Sequence, residues 1–395
     1  MKYEKASFST QFLRTLAKSP DVLAGMARAA VRKRVTSQFD YYVRQDGHSM
    51  PFTQVNIKIT NACNLRCKMC GQWGENGWHI LQPSSFQSYT VPLDTYKQMV
   101  DELVPFSPWI VISGGESTLY RDLLKLTRHI TESGLLCTLV TNGMNLEGIA
   151  EELVDQGLAY IMTSIDGPRE THDQIRGVKG AFDRTVAGLA AVEKAKRTRN
   201  VVKPLTVVLT TVSVGNTANL DQGAWEVAEN VGADGVLAYW AYFQTDESCE
   251  AHAKLMLEEL DTVANSPSGF KWSHEKVDTH QLVDTVHRIR SKNWSFPYVF
   301  APKLTDEEVH RWYRADEQSN SFGYKKCVAP WTMVEIMPNG DVTPCRDYPD
   351  YITGNIKERS LMDIWNGERY KKFRNVLREN TLLPICSRCC GMMDW

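Results

Sequence analysis

The sequence predicts an α/β protein built on a parallel sheet, followed by a small C-terminal α+β unit. Three observations carry this. Between residues 55 and 240, six short β-branched runs alternate with helical stretches, and strands separated by helices pair in parallel. Past residue 320 the alternation gives way to a hairpin signal at Asn339–Gly340, the strongest short turn signal between alternating runs. Eight of the ten cysteines bunch near the first strand and near the C terminus. Six strand–helix units allow an open sheet or an incomplete barrel, and in both, ligands gather at the carboxyl ends of the strands.

The elements follow in order. Residues 1–50 read as an N-terminal helical segment with a basic end. A membrane-surface or nucleic-acid helix is conceivable there; a helix packed on the domain behind it is preferred. The strands are expected at Val55–Thr60, Trp109–Ser113, Leu136–Thr141, Ala159–Ile165, Leu205–Val212 and Val236–Trp240. Helices are expected between them, at Leu93–Leu103, Asp122–Ser133, Glu147–Gln156, Ala181–Lys196 and Leu220–Asn230. Residues 246–320 form a helical connector, with helices at Ala251–Leu260 and Lys276–Ile289. After the hairpin, Ser360–Leu377 reads as one helix. The segments are therefore 1–50, 51–245, 246–320 and 321–395.

At 395 residues the chain has room for two or three domains. A net charge of -2 gives no overall field for nucleic acid. No apolar run is long enough for a transmembrane helix, and the start lacks the apolar core of a secretory signal. A cytoplasmic enzyme or binding protein is expected, and clustered cysteines in a reducing compartment read first as metal ligands.

The first cluster is Cys63, Cys67 and Cys70, in a loop directly after the first strand. A structural zinc site and an ordinary iron–sulfur cluster both want four ligands. Three thiolates on a [4Fe–4S] cluster leave one iron open to a substrate or cofactor; zinc is the alternative. The stretch CNLRCKMC, a C-x3-C-x2-C motif after a first strand, resembles the radical SAM superfamily. The resemblance implies an incomplete (βα)6 TIM-like barrel and S-adenosylmethionine chelated at the open iron, with cleavage to a 5′-deoxyadenosyl radical that takes hydrogen from substrate. A flavodoxin- or ferredoxin-type reductant is implied with it.

Other segments extend the resemblance. Gly114, Gly115 and Glu116 are similar to the family's GGE motif at the second strand, which contacts the methionine amino group; Ser117 stands where proline is usual. TSIDGP at 163–168, running into His172 and Arg176, is similar to a stretch of sulfatase-maturating enzymes, which implies that Ser164 and Arg176 hold the cofactor's carboxylate or ribose. His172 and Asp166 read as structural. Leu237, in the sixth strand, would lie against the adenine. Thr141-Asn142-Gly143 ends the third strand and serves loop geometry or the site.

Cys327, Cys345, Cys386 and Cys389 form the second set. Four thiolates suit one cluster or a closed zinc site. CVAPW, NGDVTPCRDY and CSRC resemble the SPASM or twitch extension, which implies one auxiliary [4Fe–4S] cluster. Cys389 is taken as ligand over Cys390 because C-x2-C is the commoner spacing. A fully ligated cluster moves electrons, so oxidation of a small-molecule or sugar-type natural product is the first expectation. Maturation of a ribosomally made peptide and radical epimerisation are the alternatives, with a metal or redox sensor remote. In the sulfatase-maturating enzymes that this chain resembles, an acidic base directly follows the second of these cysteines; that place is Arg346 here, and Asp347, one later, is the candidate base by that resemblance, while Cys249 is the candidate hydrogen donor for epimerisation and Cys137 reads as buried. The insertion 71–91, with Trp73 and Trp78, either lines a pocket or packs on itself.

Overall fold

A β-branched run buried on both sides forms the centre of the sheet. The computed structural model describes residues 16, 17, 19–80 and 82–389. The chain divides into two compact units, neither continuous in sequence. One unit comprises Met26–Leu139, Tyr242–Trp272 and Arg314–Trp395. In it β1 (Gln54–Lys58) lies between β2 (Trp109–Ser113) and β8 (Met333–Ile336), parallel to both. Strand β3 (Cys137–Thr141) extends the sheet parallel to β2. On the other side β9 (Asp341–Thr343) returns antiparallel to β8, and β10 (Gly354–Asn355) pairs antiparallel with β9.

Side chains alternate across a strand. Val55, Ile57, Val334 and Ile336 form one fully buried face. Asn56, Lys58 and Glu335 form the other, and they too are buried. Helix Leu93–Leu103 buries Tyr96, Met99, Val100 and Leu103, an i, i+3, i+4, i+7 stripe. The hairpin turns at Gly340, whose φ of +91° suits glycine. The helix expected over Ser360–Leu377 is broken into Leu361–Trp365 and Glu368–Asn380; Gly367 between them has extended backbone and starts the second helix. Helix Asp246–Leu260 also belongs here and opens with a capping box between Thr245 and Ser248.

The other unit comprises Met1–Gly25, Val140–Ala241 and Ser273–Tyr313. Its strands β4 (Tyr160–Ser164), β5 (Leu205–Val212), β6 (Gly235–Trp240) and β7 (Tyr298–Ala301) run parallel in that order. Strand β7 was not legible in the pattern, because its four residues are flanked by prolines and lie in a helical, polar stretch. It is held by aromatic stacking: Phe300 lies 5.4 Å from Trp225 and 5.0 Å from Trp240, ring centre to ring centre. Helix Ala181–Arg199 and helix Thr279–Ser291 flank these strands in the chain. The parallel α/β sheet that the sequence predicts is thus present. No helix among the described residues is long and apolar enough to cross a membrane.

Candidate iron–sulfur and cofactor site

Cys63, Cys67 and Cys70 sit on the loop leaving β1, and the GGE segment leaves β2 beside it. The two loops are sewn together by backbone: Gly115 N–H donates to Thr60 O at 2.7 Å and Glu116 N–H to Ala62 O at 2.8 Å. This approach requires glycine. A Cβ at Gly115 would stand 2.3 Å from Ala62 O, and one at Gly114 2.7 Å from Thr60 O. Glu116 is buried and its Oε1 accepts from Thr118 N and Thr118 Oγ1, capping the turn that Ser117 opens.

Burial pushes the Cys63 thiol up to about 12, with Cys67, Glu116 and Cys70 adding to the rise. Backbone donors point the other way: Leu65 N–H donates to the Cys63 sulfur at 3.5 Å and Trp73 N–H to the Cys70 sulfur at 3.4 Å. Such donors suit metal-bound thiolate. The thiolates are costly here unless a cationic group neutralises them, so these three residues fit an iron–sulfur cluster.

The described residues of the insertion 71–91 pack on one another and on neighbouring segments. Trp73 is buried and its Nε1 donates to Asn61 O at 2.8 Å. His79 stacks edge-on with Trp73, Trp78 and Phe86. Burial, with Lys58 nearby, pushes His79 down to about 3, so it is a neutral ring. Gly71 meets the Phe270 ring so closely that a Cβ there would stand 2.3 Å away.

The second set gathers in the same unit. Cys327, Cys345 and Cys386 pack against a core of Trp331, Tyr348, Tyr351, Phe373 and their neighbours. Burial raises Cys345 and Cys386 well above the thiol range; Cys327 raises both, and Cys345 raises Cys386 further. The backbone N–H groups of Tyr348 and Asp347 face the Cys345 sulfur and lower it. Cys389 is buried, and its thiol donates to Asp347 Oδ2 at 3.3 Å. Cys390 lies outside the described residues. Three thiols packed on this core, with Cys389 joined to them through Asp347, fit a fully ligated cluster. Among the described residues no three His, Cys, Asp or Glu side chains close on a single ion; a cuboidal cluster keeps its thiolates farther apart than one ion does.

Asp347 Oδ1 also accepts from the Tyr242 hydroxyl at 3.1 Å. Cys249, on helix Asp246–Leu260, is half-buried and raised by burial, with Lys271 opposing. Cys137 is fully buried in β3 and pushed up to about 12.

In the other unit, Ser164 ends β4 half-buried and Leu237 sits buried in β6. Arg176 pairs with buried Asp166 at 2.6 Å. Asp166 also accepts from Thr211 N–H at 2.9 Å, and its own N–H donates to His172 Nδ1 at 3.2 Å. Burial, with the Arg176 charge, pushes His172 down to about 4. Gly143, at φ +84°, would place a Cβ 2.7 Å from Thr163, and Asn142 Oδ1 accepts from Met144 N–H at 3.0 Å, both matters of loop geometry.

Sequence reasoning passed over Asn56, Lys58, His79 and Glu335. Polar residues at every second place in VNIKIT and MVEIM read as a solvent face, and only the pairing of β1 with β8 shows that face to be buried.

The comparisons agree. The model of the radical SAM superfamily matches residues 57–218, and an iron–sulfur cluster-binding domain, SPASM, matches residues 327–390. The chain is 36% identical over 349 residues to the Fe-coproporphyrin III synthase of Methanosarcina barkeri (strain Fusaro / DSM 804), covering 85% of this chain and 79% of that protein. It is 28% identical to the AdoMet-dependent heme synthase of the same organism, covering 80% of this chain and 83% of the relative. Streptococcus suis SuiB bound to S-adenosylmethionine shares the fold, with a TM-score of 0.58 at 16% identity over 85% of this chain and 71% of SuiB. With S-adenosylmethionine and two [4Fe–4S] clusters as its cofactors, the chain belongs to the radical SAM superfamily and carries a C-terminal SPASM domain.

Proposed function

We propose that the enzyme removes a hydrogen from a small-molecule substrate and releases it oxidised by two electrons. The observation that supports this is the set Cys327, Cys345 and Cys386, partly buried against one core, with Cys389 buried. Four thiolates leave no iron open, so a cluster held there serves electron transfer rather than substrate binding. When bound, the cofactors supply a 5′-deoxyadenosyl radical at the first cluster and an electron acceptor at the second.

The chain's own residues divide the remaining work. Cys63, Cys67 and Cys70 hold the first cluster, and Gly114 and Gly115 keep the neighbouring backbone close. Glu116 accepts from the cofactor's ammonium group, while Ser164 and Arg176 hold its carboxylate or ribose and Leu237 lies against the adenine. Asp347, oriented by the Tyr242 hydroxyl, takes the proton that the substrate loses. A small flavodoxin or ferredoxin supplies the reducing electron. The names of the two Methanosarcina relatives, an Fe-coproporphyrin III synthase and a heme synthase, make porphyrin-type compounds the first class to offer.

The test is turnover in heavy water. The expected product is two mass units lighter than substrate and carries no solvent deuterium at the reacting carbon. A product one unit heavier, lost on Cys249→Ala, overturns the oxidation reading in favour of epimerisation through a thiol.

A further inference from the structure

A helix that is apolar on both faces is covered on both faces. Helix Pro20–Phe39 carries apolar residues on both faces, mixed with arginines on the outer one, and is covered on one. Its inner face carries Val22, Gly25 and Met26, and Arg32 donates from its flank to Phe106 O at 2.8 Å. Its outer face carries Ala24, Ala27, Val31, Val35 and Phe39, all exposed. Val31 is 64% exposed, Val35 47% and Phe39 45%, and they recur at four-residue steps, one above the other. Tyr42 and Val43, just past the helix, continue the strip at 52% and 64% exposed.

The charges along this segment are nearly all of one sign. From Met26 to Arg44 the chain holds five basic residues, Arg28, Arg32, Lys33, Arg34 and Arg44. The only acid in that span is Asp40, which is buried and paired with Arg44 at 3.4 Å. Arg28 and Arg34 stand on the exposed face itself. Lys326 adds a further cation, 4.4 Å from the Tyr42 ring centre. The whole chain carries a net charge of -2, so this cationic strip is local. Valine, phenylalanine and tyrosine flanked by arginines match an interface between anionic headgroups and acyl chains. A second copy of the same strip would set arginine against arginine.

We propose that the outer face of helix Pro20–Phe39, continued through Tyr42 and Val43, docks the enzyme on an anionic membrane surface. The apolar strip enters the acyl boundary, and Arg28 and Arg34 reach the headgroups. The proposal goes beyond the radical chemistry and does not depend on which substrate is oxidised.

The test is co-sedimentation of the cluster-loaded protein, under anaerobic conditions, with phosphatidylcholine vesicles made with and without phosphatidylglycerol. Binding to the anionic vesicles alone, weakened by added salt, is expected. Arg28→Gln and Arg34→Gln should each weaken it by roughly fivefold, the worth of one cation near such a surface. The combined substitution Val31→Ser, Val35→Ser and Phe39→Ser should abolish it at every salt concentration. No binding to the anionic vesicles overturns the proposal. So does binding that survives the serine substitutions. A concentration-dependent dimer that those substitutions dissolve assigns the strip to a second copy and overturns it too.

Discussion

Glu335 gives a prediction whose sign and size follow from its surroundings. It lies on β8 directly beside Asn56 of β1, 2% exposed, and neither carboxylate oxygen has a hydrogen-bond partner. Asn56 accepts from Gln54 Nε2 through its Oδ1 at 2.7 Å, which leaves its Nδ2 to face the carboxylate and favour the charged form weakly. Lys58 and Arg346 favour the charged form, Asp347 opposes it, and Tyr370 packs nearby without offering a bond. Burial outweighs the two cations, and the carboxyl rises from 4.5 to about 6. The folded state therefore holds this proton more tightly than the unfolded chain. Below pH 4.5 both states are protonated and nothing is lost. Above pH 6 both are charged, and the folded state carries a penalty of about 2 kcal/mol, from about 1.5 units at 1.36 kcal/mol each. Glu335→Gln removes the charge and keeps the shape. Its stability advantage over the parent should grow from under about 1 kcal/mol at pH 5 to about 2 kcal/mol at pH 8. Urea denaturation of the cluster-loaded proteins, followed anaerobically across that range, measures it. An advantage that is flat with pH, or a variant less stable than the parent at pH 8, would refute the desolvation account.

Three further outcomes are expected. Gly115→Ala, whose methyl would stand 2.3 Å from Ala62 O, should push the cluster loop off the GGE segment, lower the iron content bound by Cys63, Cys67 and Cys70, and cost roughly 1–3 kcal/mol as overpacking does; full iron and unchanged stability would remove the steric argument. Reconstituted parent should hold about eight irons and the Cys63→Ala, Cys67→Ala, Cys70→Ala variant about four, two four-iron clusters less one; four in the parent with bound zinc would contradict the second cluster. Arg176→Met strands the buried Asp166 carboxylate and should cost roughly 3–5 kcal/mol of stability. Weakened S-adenosylmethionine binding in Arg176→Lys, which keeps a charge beside Asp166, would separate a cofactor role from a structural one.

What was legible and what was not divides along range of interaction. The six strands could be read because each is a β-branched run bounded by helix or turn signals, and the cysteine spacing is a local pattern that chemistry constrains tightly. Strand β7 could not, since a four-residue strand is stabilised by Trp225 and Trp240, about 60 to 75 residues away in sequence. The break at Gly367 was visible as a glycine, and the apolar face shifts across it, from Leu361, Ile364 and Trp365 to Tyr370, Phe373 and Leu377. Arg176 was read from resemblance as a cofactor contact; its partner Asp166 lies ten residues earlier and meets it only through the turn that Asp166 and His172 build. The same distinction explains Glu335. A lone glutamate in MVEIM looks like the solvent side of an alternating strand. Its meaning changes because β8 pairs with β1, nearly 280 residues away, and both faces of that pair are buried. Polar residues then sit where water cannot reach, and their cost appears only once the sheet is assembled. The cysteine motif specifies its chemistry locally, whereas the polar face beside it acquires its properties only from the fold.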